Sequence, residues 1–91
     1  MEKQISAEDL SVKVQSVLQG RFREAKVEAH RNKGAKRVSG SLITPDFNSL
    51  DQVDRQKAVH DALRDTLGAA AHGVSIILTY TPDEYKALRE E

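Results

Sequence analysis

Val53-Asp54-Arg55-Gln56-Lys57-Ala58-Val59-His60-Asp61-Ala62-Leu63, followed beyond Leu67 by His72-Gly73-Val74-Ser75-Ile76-Ile77-Leu78-Thr79-Tyr80-Thr81-Pro82-Asp83-Glu84, is the stretch from which the fold can be read. Val53, Val59, Leu63 and Leu67, with Ala58 and Ala62 beside them, predict a charged helix over 53–67. Ser49 and Gln52 have the spacing of a capping box at its start, and Gly68 marks its end. Ala69-Ala70-Ala71 either extends that helix or forms a short connection. Val74–Tyr80 is a nearly continuous β-branched run, which predicts a strand at the centre of its sheet. Thr81, Pro82 and Glu84 then supply a cap, a first helical position and a capping-box acid. The terminal helix carries Tyr85 and Leu88 and frays toward Glu90.

Working back toward the N-terminus, Ser6 and Asp9 start a helix of about residues 7–19. Leu10, Val14, Val17 and Leu18 recur on it at helical spacing, and Gly20 suits a stop. Ala25, Val27 and Ala29 alternate with Lys26, Glu28 and His30, the pattern of a half-buried strand. Asn32-Lys33-Gly34 turns the chain into a second strand, with Val38, Gly40 and Leu42 on one face, which Pro45 ends. The order is α-β-β-α-β-α, with room for the fourth element to be split. This predicts an α+β fold, αββ(α)αβα, in which helices cover one face of a three-stranded sheet. The arrangement matches the type II KH architecture and forms one domain over 1–91.

Composition narrows the function. A chain of 91 residues buries roughly 60–65% of its unfolded surface, enough for a modest core. Aromatics are 4%, so aliphatic side chains must build that core. There is no cysteine, which excludes disulfides and thiolate catalysis. Any metal must be held by histidine, carboxylate or a partner's group. The longest apolar runs fall far short of a membrane span, and no N-terminal apolar run precedes the first helix, so a cytoplasmic protein is expected. No nucleophile triad, metal-hydrolase spacing or phosphate-cradling glycine loop is present, so an enzyme is not expected.

Net charge is zero, but residues 21–37 hold seven Lys/Arg against two Glu. The hairpin tip His30-Arg31-Asn32-Lys33-Gly34-Ala35-Lys36-Arg37 is therefore basic. It reads either as a phosphate-contacting wing or as a solvated cluster that protects a strand edge. The chain lacks a Gly-x-x-Gly clamp and aromatics interleaved for base stacking.

Three linked places in this sequence resemble the BolA family. Phe47 followed by Asp54–Leu63 matches its charged helix, D/R-R-x-x-x-V-x-x-A-L. His72 stands just before an apolar strand, Val74–Leu78, and Thr81-Pro82-Asp83-Glu84 matches the T-P-E that follows it. The hairpin loop is shorter than in many members, and Tyr85 stands where many have Trp. The resemblance implies a non-enzymatic adaptor for a monothiol glutaredoxin, linked to iron homeostasis and stress response. The pair would share a [2Fe–2S] cluster, with thiolates from the partner and glutathione and imidazole from His72. The chain alone would carry no cofactor. From spacing alone His72 is a polar turn residue; the resemblance makes it an iron ligand. His30 is the candidate second ligand or a solvated strand-end residue, and His60 a helix boundary residue. The alternative is a DNA-binding transcriptional regulator, with Arg31, Lys33, Lys36 and Arg37 of the hairpin and Arg55 of the charged helix on phosphates.

Overall fold

The computed structural model describes residues 7–32 and 37–90. Helix α1 (Ala7–Arg21) leads into an antiparallel pair, β1 (Lys26–Arg31) and β2 (Val38–Ile43). A 3-10 turn (Pro45–Phe47) precedes α2 (Gln52–Leu67), and a 3-10 segment (Gly68–Gly73) links α2 to β3 (Val74–Tyr80). Helix α3 (Pro82–Arg89) closes the chain. The sheet order is β1-β2-β3, and β3 runs parallel to β2 because α2 forms the crossover between them. The predicted α+β architecture is the one observed.

The sequence pattern misplaces β3. It is an edge strand, and β2 lies at the centre. Its β-branched run is buried on one side only: Ile77 and Thr79 are buried, whereas Ile76 and Leu78 are 53% and 46% exposed. Val38 pairs with Val74 but Gly40 with Ile77, so β3 carries one extra residue between these rungs. That bulge sets the phase that sends Ile77 and Thr79 inward.

The core follows from the helical stripes. Leu10, Val14 and Leu18 of α1 and Val59, Ala62 and Leu63 of α2 pack with Val38, Leu42, Phe47 and Ile77. Val53, the expected first member of the α2 stripe, is 75% exposed and lies outside the core. Helix α1 passes through Gly20 to Arg21, because nothing at Gly20 breaks the ladder and the Phe22 amide still bonds the Leu18 carbonyl at 3.1 Å. The α2 cap is Asp51, whose carboxylate accepts from the Asp54 amide at 2.9 Å; Ser49 lies in the turn before it.

Two small residues hold the sheet's frame. Thr44 is fully buried, donates its hydroxyl to the Arg23 carbonyl at 2.6 Å and bonds its amide to the Tyr80 carbonyl at 3.1 Å. It thus ties the end of β2 to the α1–β1 turn and to β3. Gly40 sits opposite Ala29, where a Cβ would collide with the Glu28 carbonyl oxygen and lie 2.9 Å from the Ala29 Cα. The neighbour is backbone, so relief requires β1 to move. Gly40→Ala is expected to cost about 2–3 kcal/mol by urea unfolding, the range of overpacked interiors. A loss under about 0.5 kcal/mol, the scale of ordinary surface changes, would mean that β1 and β2 are not this close.

Candidate functional site

Arg55 is the first site residue to change role. Its side chain is 6% exposed, and the guanidinium makes a bidentate pair with Glu84, Nη1 to Oε1 at 2.7 Å and Nη2 to Oε2 at 3.1 Å. Its Nε donates to the Leu50 carbonyl at 2.8 Å, and the group lies over the Phe47 ring at 5.7 Å. Arg55 is therefore not a phosphate ligand. Burial on the inner end of α2 takes its donors inward, and they join α2, the preceding loop and α3. Glu84 also completes the predicted capping box, accepting from the Thr81 amide at 3.0 Å while the Thr81 hydroxyl accepts from the Glu84 amide at 3.1 Å. The partners are 29 residues apart, so no local pattern announces the pair.

His72 is exposed, in the last turn of the 3-10 segment. Gly68, at φ 58°, ends α2 in a conformation that glycine accepts readily, and it turns the chain toward β3. Arg37, at the foot of β2, donates its Nη2 to the His72 carbonyl at 3.2 Å. The backbone under His72 is thus held from both sides while the imidazole stays in solvent, with no hydrogen-bond partner among the described residues.

His30 lies at the same end of the sheet. Arg31 pairs with Val38, and Val38 with Val74, so β1 ends where β3 begins. His30 is exposed on the face away from the half-buried Val27 and Ala29, and β2 separates it from His72. Two strand spacings, roughly 10 Å, lie between β1 and β3. The sequence assigned His60 to a helix boundary, but it lines a groove of about 80 Å³ between α2 and β3, with Ala71, Val74 and Ser75 on the other wall. That wall brackets His72, which puts His60 beside the segment that carries it. Among the described residues no three His, Asp or Glu side chains form a metal cluster. A metal held at His72 would take its remaining ligands from another molecule.

Two of the basic residues lie at the same end. Arg31 and Arg37 are exposed there, while Lys33 and Lys36 lie outside the described residues. A larger groove, about 590 Å³, occupies the opposite end of the sheet, between Lys26, Ile43, Pro82, Tyr85 and Arg89. It contains no histidine.

The Arg55 contact holds the Glu84 carboxyl below the ordinary carboxylate value, helped by the Thr81 amide. A carboxyl lowered in the folded state contributes stability that is full above its unfolded value and is lost as pH falls through the folded value. Glu84 is half exposed, so solvent screens part of this gain. Arg55→Ala is expected to cost about 3 kcal/mol at neutral pH, the low end for breaking a buried pair. Glu84→Gln is expected to cost about 1 kcal/mol. Urea midpoints from pH 7 to 3 should show the Glu84→Gln deficit shrinking with acidification; a deficit constant with pH would rule out the charge pair as its source.

No family model matches this sequence, and no curated protein does. Solved structures do. The chain superposes on a BolA protein homologue from Coxiella burnetii with a TM-score of 0.68 and 23% identity, over 91% of this chain and 99% of that one. It superposes on BolA1 from Mus musculus with a TM-score of 0.72 and 16% identity, over 98% of this chain and 78% of that one. The BolA domain of SufE1 from Arabidopsis thaliana gives 0.61 and 22%, over 82% and 94%. With its mixed sheet and crossover helix, the chain is BolA-like in fold over nearly all its length.

Proposed function

We propose that this chain is a non-enzymatic adaptor that docks a monothiol glutaredoxin at the His72 end of the sheet and shares a [2Fe–2S] cluster with it. The observation that carries the reading is His72 itself: an exposed imidazole on a braced helix-to-strand junction, in a BolA-like fold without cysteine. The donor chemistry fits. Iron in such a cluster needs thiolate or imidazole, and here only imidazole is on offer. Glutaredoxin and glutathione would supply sulfur; His72 would supply nitrogen to one iron.

An imidazole ligand raises the reduction potential of a cluster relative to an all-thiolate one. The chain's own contribution is position. The Arg37 guanidinium and the 3-10 segment fix the His72 backbone, so little ordering is left to complete when the partner arrives. Because only neutral imidazole ligates, the shared complex weakens on acidification. His30 and His60 are the candidate further donors on this chain. His30 is on the same end of the sheet but across β2, and His60 is across the groove.

The DNA-regulator reading keeps the exposed Arg31 and Arg37 but loses Arg55 to its internal pair with Glu84. Arg31 and Arg37 share one end of the sheet with His72, so a glutaredoxin docked there would compete with DNA.

Titrating the chain into a cluster-loaded monothiol glutaredoxin should change the visible circular dichroism of the cluster. His72→Ala should abolish that change while leaving the far-ultraviolet spectrum intact, since the side chain is exposed. An unchanged visible spectrum in the variant would remove His72 as the ligand.

A further inference from the structure

Two carbonyls on the free edge of β3 are capped by side chains, and the capping has a definite geometry. In a parallel pair the N–H and C=O of one residue point to the same side, and successive residues alternate. The Thr44 amide bonds the Tyr80 carbonyl at 3.1 Å, so Tyr80 points toward β2. Thr79 and Ile77 therefore turn their backbone groups to the open edge. There the Gln56 amide donates to the Ile77 carbonyl at 2.9 Å, and the Gln52 amide reaches the Thr79 carbonyl at 3.5 Å. The Gln52 Oε1 accepts from the Thr79 hydroxyl at 2.8 Å. Gln52 and Gln56 stand one turn apart on α2, about 6 Å along its axis, and two strand residues span about 6.6 Å. The two side-chain amides thus occupy rungs that a fourth strand would use.

The two edges of the sheet differ in kind. Edge β1 carries Lys26, Glu28 and Arg31, charges of the sort that keep an edge unpaired. Edge β3 carries no charge from Val74 to Tyr80 and exposes Ile76 and Leu78. An antiparallel two-fold pairing of β3 centred on Ile77 sets Ile76 opposite the partner's Leu78 and Leu78 opposite the partner's Ile76. The exposed aliphatic side chains of both copies then form one cluster on the outer face, with no like charges opposed.

We propose that the β3 edge is a self-pairing surface gated by Gln52 and Gln56: a second copy of this chain pairs β3 to β3 when the two amides release the Ile77 and Thr79 carbonyls. The glutamines hold the free chain as a monomer. This proposal does not rest on the His72 reading.

Sedimentation equilibrium on the parent chain and on Gln52→Ala/Gln56→Ala tests it, with far-ultraviolet circular dichroism to report folding. Dimerisation of the double variant should be at least about tenfold tighter than that of the parent, the equivalent of about 1.4 kcal/mol. Adding Leu78→Lys should return it to a monomer, because each lysine replaces an aliphatic partner in the paired cluster. Gln56→Ala alone should show the same trend at smaller amplitude and carries the test if the double variant does not fold. Parent-like mass in a folded glutamine variant, or association that survives Leu78→Lys, would overturn the proposal.

Discussion

The bidentate contact between Arg55 and Glu84 is the constraint on which the rest of the arrangement depends. Arg55 sits on the first turn of α2, and Glu84 on the first turn of α3. Their pairing fixes both helix starts against the loop carbonyl of Leu50 and the ring of Phe47. Since β3 is the segment between the two helices, anchoring both also fixes where β3 can lie. A buried guanidinium is costly unless it is paired and hydrogen-bonded, and here three of its five N–H donors, one each on Nε, Nη1 and Nη2, have an acceptor inside the fold. The charged signature of this helix is therefore, at Arg55, part of the scaffold.

Much of the fold is legible in the sequence because its elements carry local signals. The Thr81–Glu84 box, the stop at Gly68 and the stripe Leu10, Val14, Leu18 each depend on neighbours within one or two turns, and each is found where the pattern puts it. The misplacement of β3 and the misreading of Arg55 share another cause. Burial of β3 on one face looks the same in sequence as burial on two, because the bulge before Ile77 and the helix α2 that covers its inner side are not local. Arg55 reads as a solvated cation because its acid lies 29 residues away. Thr44 gives no signal at all; its importance comes from where three chain segments meet.

The candidate site was partly legible for the same reason. Spacing alone reads His72 as a polar turn residue, and the family resemblance in the residues around it is what singles it out. That Arg37 braces its carbonyl, and that His60 lines a groove whose other wall flanks His72 in sequence, are facts of packing. The structure concentrates chemistry at one end of the sheet, where histidines and arginines gather without a metal-binding cluster among the described residues. An end that supplies nitrogen and positive charge but no sulfur is complementary to an anionic, thiolate-rich partner.

The proposed adaptor role requires that a nitrogen of this chain bind iron in a shared cluster. Pulsed electron paramagnetic resonance of the reduced complex tests it directly. The chain is prepared with 15N-histidine and the glutaredoxin and glutathione without label. Strong hyperfine coupling to 15N, lost with His72→Ala, is the predicted result. A spectrum unchanged by the label would contradict the claim, because it would mean that every iron ligand comes from elsewhere.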